Sequence, residues 1–210
     1  MRNRRSRRQP PDNRPNESSS PLLPGAAAFA TPRLTIEPLA ALHAAGLHAA
    51  LDHPDVSRFL PGPDVTTLDA LLARIERVTA GPPSSHPNQR WWNFAVRLAA
   101  DRTIIGRLEA TTYGAWGEIA YVFGPRWWGQ GLASEATAWL VHHLATQGVA
   151  ELWAAVHRAN TRSKRLLLRS GFVAIHEPTR PLSSFDPGDA VFMRGTVSLL
   201  SRARTPDVSD

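Results

Sequence analysis

A short β-type run, Glu118-Ile119-Ala120-Tyr121-Val122-Phe123, leads into a turn carrying Gly129 and Gly131, and the turn opens directly into an apolar-periodic stretch from Leu132 to Thr146. A helix start ordinarily carries Ser, Thr, Asp or Asn to satisfy its first free amides. Here glycines occupy the approach. The unpaired N–H groups at a helix mouth hold about half a positive charge, and glycine lets the main chain come close to a ligand. The spelling therefore predicts an anion cradle for a phosphate or pyrophosphate, against the plainer alternative of a turn that uses glycine for geometry alone. Strand, glycine turn and helix also occur in this order in the P-loop and the dinucleotide-binding fold, and neither spelling fits. The P-loop ends in Gly-Lys-Ser/Thr, whereas the only lysine is Lys164; the dinucleotide fingerprint wants a third glycine where Ser134 stands.

The rest of the chain constrains what surrounds such a cradle. At 210 residues, 42% hydrophobic and 20% charged, it has room for one domain with a real core, plus tails. Without cysteine, disulfides, thiolate metal sites and cysteine nucleophiles are excluded, which suits a reducing cytoplasm. No apolar run approaches the roughly 18 residues of a membrane span, and Leu22 to Ala30, interrupted by Pro24, makes a poor secretory core. A cytoplasmic protein without membrane attachment is expected. Most of the net charge of +6 sits in residues 1–20, where six arginines face only Asp12 and Glu17. A nucleic-acid surface normally clusters on the folded domain; these arginines lie in a Pro-, Asn- and Ser-rich stretch with nothing to bury. The expectation is a disordered tail over 1–30, with a weak nucleic-acid or ribosome tether as its alternative use, a folded domain over 31–198 and a flexible tail over 199–210.

Periodicity orders the domain. Arg33 to Glu37 alternates between Pro32 and Pro38 as a first strand, and two helices follow, Leu39 to Leu51 and Thr67 to Ala80, the second stopped by Gly81-Pro82-Pro83. Phe94–Leu98 and Thr103–Thr112 pair around an Ala99–Arg102 turn, and Glu118 to Phe123 completes three antiparallel strands. Downstream come a helix with the stripe Leu132, Ala136, Leu140, Leu144 and Gly148 past its end, a buried strand over Val149–Val156, a helix from Asn160 to Arg169 stopped by Gly171, and strands at Val173–Ile175 and Ala190–Val197. This is an α+β order with a βαβ unit at its centre. His142 and His143 point to different faces of their helix, and His43 and His48 are five apart, so no metal site is expected. Trp127-Trp128 beside the cradle pack the turn or stack on a ligand; Trp91-Trp92 line a pocket or pack a strand.

Two segments, Arg126-x-x-Gly129-x-Gly131-Leu132-Ala133 and Asn160-x-x-Ser163-x-x-Leu166-Leu167-x-x-x-Gly171-Phe172, together resemble the GNAT superfamily of acyl-CoA-dependent N-acetyltransferases. The likeness runs from about Thr31 to Val197 and is greatest to the branch that acetylates ribosomal-protein N-termini. It implies a mostly antiparallel sheet whose central parallel strands splay, with helices on both sides. It further implies acetyl-CoA as cosubstrate, its pyrophosphate on Arg126, Gly129, Gln130, Gly131, Leu132 and Ala133. Its pantetheine arm would lie along Val122 and Phe123 and be held by Asn160. The implied oxyanion donor is a backbone N–H near Val122.

An amine attacking the thioester must shed a proton, and a thiolate must leave. Where many relatives have a tyrosine for the thiolate this chain has Leu167, so the resemblance passes that role to Ser163. It offers Glu118 as the base, with Glu109 as competitor. The ribosomal branch often has a glutamate on the loop after the second motif, and Arg180 to Phe185 holds none; Glu177 is nearby at a different spacing. The expected activity is acetyl transfer to a primary amine, a peptide N-terminus or a small molecule, by a monomer or homodimer. The alternative is a non-catalytic acyl-CoA sensor of the same fold.

Overall fold

The structure, a computed structural model, describes residues 28–60 and 67–195. The arginine-rich stretch, with any nucleic-acid or ribosome contact it makes, the C-terminal tail and the end of the last expected strand at Thr196-Val197 lie outside the described residues. Among the described residues eight strands form one sheet in the order β1-β2-β3-β4-β5-β6-β8-β7. They are β1 (Phe29–Ala30), β2 (Leu34–Pro38), β3 (Arg90–Leu98), β4 (Ile104–Tyr113), β5 (Trp116–Phe123), β6 (Glu151–Val156), β7 (Val173–Ile175) and β8 (Ala190–Gly195). Every neighbouring pair is antiparallel except β5 with β6. The helices are α1 (Ala44–Leu51), α2 (Pro54–Ser57), α3 (Leu68–Thr79), α4 (Leu132–Thr146) and α5 (Thr161–Arg169). The expected α+β architecture, a mostly antiparallel sheet with a central parallel pair and flanking helices, is the one observed. None of the helices is long and apolar enough to cross a membrane.

Side chains alternate across the strands and sort into two faces. On one, Leu34, Ile36, Phe94, Leu108, Ala110, Ile119 and Phe123 pack against α4 through Leu132, Ala136, Leu140 and Leu144, the stripe expected from the sequence. On the other, Ala95 and Ile104 meet Leu47 and Leu51 of α1 and Leu71 and Ile75 of α3. At the far end Trp153, Val191 and Met193 pack with Trp116, Leu182 and Phe185 of the loop before β8. Gly148 and Gly171, past the ends of α4 and α5, take φ +84° and +81°, the left-handed turn that lets a helix stop.

Four local features depart from the sequence expectation, each for a polar reason or an aromatic one. The segment Leu39–Leu51 is not one helix: a 3₁₀ turn over Ala41–His43 precedes α1. His43 folds back to accept from Ala40 N–H through Nδ1 at 3.0 Å and donates through Nε2 to Glu37 Oε2 at 2.9 Å. Helix α2 forms because His53 Nδ1 accepts from Asp55 N–H. Strand β3 begins at Arg90, four residues early, since Trp92 is buried with its indole N–H donating to Thr112 Oγ1 at 3.0 Å. Phe29 and Ala30, expected within the tail, pair with Ile36 and Thr35 because the Phe29 ring has Trp139 and Phe94 to pack on.

That last cluster makes the fold sensitive to acid. The His143 ring stacks on Trp139 at 4.9 Å and 12° and meets Trp92 and Phe94 edge-on. Burial holds its imidazole below the ordinary value of 6.5, and the charges of Arg90 and His142 push the same way. The unfolded chain then binds a proton that the folded chain resists, so this contribution is complete above about pH 6.5 and is lost as pH falls below it. Buried His43 behaves alike, so the His143 share is read by difference. His143→Phe is expected to lessen the drop in Tm between about pH 7 and pH 5, measured by thermal unfolding across that range; an unchanged drop would free His143 of this role.

Candidate functional site

The turn between β5 and α4 is shaped by close contacts on one side and open space on the other. A Cβ on Gly124 would lie 2.2 Å from the Ala50 carbonyl and 2.6 Å from the Trp127 ring, so only glycine fits. Pro125–Trp127 then forms a 3₁₀ turn, and the Trp128 indole N–H donates to the Phe123 carbonyl at 2.6 Å. Gly129 and Gly131 both take left-handed φ, +76° and +77°. A Cβ on Gly129 would meet nothing within 4 Å, and one on Gly131 only the Arg33 guanidinium at 3.5 Å. Gly131 is the N-cap of α4 and no side chain of the described residues caps it. Among the described residues, the amides of Leu132 and Ala133 thus begin the helix without a capping side chain in front of them.

Positive charge gathers round this mouth. Arg33, half exposed, donates through Nη1 to the Gln130 carbonyl at 2.9 Å and through Nε to Glu135 Oε2 at 2.7 Å. Thr31 Oγ–H and the Arg33 amide donate to Glu135 Oε1. Burial pushes the Glu135 carboxyl up, but these bonds outweigh it and hold the group below its ordinary value. The Arg126 guanidinium lies over Trp127 and its carbonyl accepts from Gln130 Nε2. Arg162 of α5 stacks on Trp128 at 4.6 Å. Beside the turn, Pro32, Arg33, Leu98, Gln130 and Leu132 border a hollow of about 520 Å³. Neither Arg33 nor Arg162 belongs to the motifs legible in the sequence; their place at the mouth follows from contacts with residues distant along the chain.

The strands next to the mouth separate. β5 and β6 pair from Trp116–Glu151 to Glu118–Trp153 and no further, although β5 continues to Phe123 and β6 to Val156. The ladder decides which peptides face the gap. The Val122 carbonyl lies 2.4 Å from where a Gly106 Cβ would be, and Gly124 N–H donates to Ile105 O, so both point to β4. By alternation the amides of Tyr121 and Phe123 point to the opening. The main chain of Val122 is thus turned to the sheet, the N–H groups near it that face the gap are those of Tyr121 and Phe123, and Phe123, whose carbonyl holds the Trp128 indole, offers its N–H alone.

Helix α5 lines the other lip. Asn160 Oδ1 accepts from Ser163 N–H at 3.1 Å, which leaves its amide nitrogen for any further partner. Ser163 Oγ is 2.8 Å from the Tyr121 hydroxyl. Asn160, Ser163, the Gly129–Ala133 turn and the end of β5 are therefore brought together around one opening.

Glu118 stands at the closed end and is fully engaged. It is 5% exposed. Oε1 accepts from Tyr113 O–H, Ser183 N–H and Ser183 Oγ–H, and Oε2 accepts from Ser184 N–H and Ser184 Oγ–H, at 2.9–3.2 Å. A carboxylate with both oxygens so occupied fastens a loop and has little room to accept from an attacking amine. Glu109, the competitor, is bound by Arg74 at 3.0 Å and Arg107 at 3.0 Å. With Trp91, Asn93 and Thr111 it lines a hollow of about 180 Å³ on the α3 side of the sheet. Glu177 is 85% exposed beside His176. Among the described residues no three His, Asp or Glu side chains gather as metal ligands would.

Comparison with known proteins agrees with this geometry. No curated protein shows significant sequence similarity to the chain. Solved structures of like fold include a GNAT-family acetyltransferase from Bacillus anthracis, 19% identical with TM-score 0.63, covering 80% of this chain and 96% of that one. The ribosomal-protein-S5-alanine acetyltransferase of Vibrio fischeri is 16% identical with TM-score 0.64, covering 80% and 96%. RimL, a ribosomal L7/L12 α-N-protein acetyltransferase solved in complex with coenzyme A, is 15% identical with TM-score 0.65, covering 80% and 98%. The family model of the acetyltransferase (GNAT) domain matches residues 33–173, from β2 through the uncapped turn and α5 to the start of β7, and the chain belongs to that family.

Proposed function

We propose that the enzyme transfers an acetyl group from acetyl-CoA to the α-amino group of a peptide or protein N-terminus, as its RimL-like neighbours do by name. The observation that carries the reading is the uncapped start of α4, where Gly129 and Gly131 leave open space in front of free amides and Arg33. The pyrophosphate binds there, on the amides of Gly129 to Ala133 with Arg126 and Arg33 beside it. The pantetheine arm runs into the gap past Phe123 and Tyr121, with Asn160 opposite. The N–H groups that face the gap, those of Tyr121 and Phe123, are the candidates for holding the carbonyl oxygen as it gains charge. Ser163 donates to the sulfur as the carbon–sulfur bond breaks.

The amine class follows from what Glu118 is doing. An α-amino group, with a pKa of about 7.7–8.0, is neutral in roughly a tenth of molecules or more at pH 7, whereas a lysine-type amine at about 10.4 is neutral in fewer than about one in a thousand. A site whose carboxylate is already occupied favours the amine that deprotonates unaided, with water carrying the proton off. The rate is then set by the acceptor's own ionisation. With a panel of amines and thiol-release detection, kcat/KM is expected to rise with pH through the pKa of each acceptor, and peptides beginning with Ala or Ser to exceed polyamines. A profile that stays fixed while the acceptor's pKa changes overturns this. Glu118→Gln keeps one acceptor oxygen and sets its NH2 against the N–H of either Ser183 or Ser184, so it should cost about 1–3 kcal/mol of stability and lower kcat by less than about tenfold, well short of losing a general base.

The cradle has its own test. Asp and Asn both tolerate left-handed φ, so Gly131→Asp and Gly131→Asn differ in charge and little in shape. Calorimetry with coenzyme A is expected to show binding lost in Gly131→Asp and weakened by about tenfold or less in Gly131→Asn, since one unit of charge at close range is worth several kcal/mol in a partly buried site. Equal affinity in the two variants would remove the pyrophosphate from this turn.

A further inference from the structure

Tyr121 is one of two tyrosines in the chain, and it stands on the face of β5 whose other members, Ile119 and Phe123, are apolar. Phenylalanine would fill the same volume; a buried phenol must also satisfy its hydroxyl. That hydroxyl reaches across the opening to α5, 2.8 Å from Ser163 Oγ and 3.2 Å from the Ser163 carbonyl. It meets the serine assigned to the departing sulfur. We propose that Tyr121 is a positioning residue for acetyl transfer: its O–H donates to Ser163 Oγ and so turns the serine's own proton toward the thiolate of coenzyme A. The inference rests on that assignment of Ser163.

The role fixes one direction for the bond, with the single phenol proton going to Ser163 Oγ at 2.8 Å in preference to the Ser163 carbonyl at 3.2 Å. Each hydroxyl has one proton to give and can accept as well. Were Ser163 to donate to Tyr121, nothing would remain for the sulfur; with the phenol as donor the serine proton is free. The backbone at Ser163 is already held by Asn160, so the hydroxyl rotor is what remains to be set. In the reaction the amine nitrogen bonds to the carbonyl carbon and the carbon–sulfur bond breaks with its electron pair going to sulfur. Sulfur takes the Ser163 proton, and Oγ regains one, through water, from the proton that the nitrogen sheds. Amine and thioester become amide and thiol. Tyr121 keeps its proton throughout: burial pushes the phenol up to about 12, against lowering by the Ser163 bond and Arg169. A donor to Oγ also polarises the serine O–H and makes it the stronger donor.

The test uses the full chain as wild type, Tyr121→Phe, Ser163→Ala and the double variant. In the first measurement the thiol of bound coenzyme A is titrated by its thiolate absorbance. It should ionise at lower pH in wild type than in either single variant, and the double variant should match Ser163→Ala. In the second, acetyl-CoA is turned over with a peptide beginning with alanine. Tyr121→Phe should lower kcat by about tenfold, less than the roughly hundredfold of a direct donor, with KM for acetyl-CoA unchanged and no further loss on Ser163→Ala. A Tyr121→Phe titration at the wild-type value, or a kcat loss equally large with Ser163 removed, overturns the proposal while a shifted Ser163→Ala keeps the serine assignment. An unshifted Ser163→Ala overturns both.

Discussion

β5 and β6 pair over three residue pairs and then part, and the site exists because of that interruption. Backbone polar groups buried without partners cost about 1–3 kcal/mol each, so strands that separate in the middle of a sheet leave peptides that something else must satisfy. The crossover adds a second consequence. α4 leaves the end of β5 and returns the chain to β6, so its N-terminus lies where the two strands diverge. One topological event thus produces a gap lined by peptide N–H groups and, at its edge, the positive end of a helix.

The lips of the gap are joined by side chains where the ladder is absent. The Trp128 indole takes the Phe123 carbonyl, Arg162 stacks on Trp128, and the Tyr121 phenol spans to Ser163. At the closed end the order reverses. There Glu118 gathers the amides and hydroxyls of Ser183 and Ser184, while Arg180 pairs with Glu151 and lies over Trp116. The loop before β8 is therefore fastened across the paired stretch of β5 and β6, from Trp116–Glu151 to Glu118. A buried carboxylate with five donors holds one end, and single hydrogen bonds and an aromatic stack hold the other.

Local periodicity carried the fold: the α4 stripe, the βαβ order and the stops at Gly148 and Gly171 are all short-range patterns, and short-range patterns are what a sequence displays. The missed elements depend on partners far along the chain. β1 needs Trp139 for Phe29, and the early start of β3 needs Thr112 for Trp92. The site divides in the same way. An uncapped helix start is visible in the spelling Gly129-x-Gly131, because what matters is the absence of a local cap. The resemblance offered Glu118 as a base from its place on the strand, whereas the five donors around it come mainly from residues 65 and 66 positions further on. Which of the peptides near Val122 face the gap was not legible for another reason: it follows from the register with β4, and that is a property of the pair.

Glu135 shows why the start of the domain must dock on the cradle. A carboxylate in the first turn of a helix is favourable to the helix dipole, and in front of a pyrophosphate it would be repulsive. The chain resolves the conflict with residues a hundred positions earlier: Thr31 and the Arg33 amide take Oε1, and the Arg33 guanidinium takes Oε2. The carboxylate is thereby spent on internal bonds, and the same guanidinium also reaches the Gln130 carbonyl. Its charge is held beside Gly131, where an anion would lie. An acid that would weaken the site alone becomes the group that fixes the cation there, and the residues that hold it, Thr31 and Arg33, lie just ahead of β2.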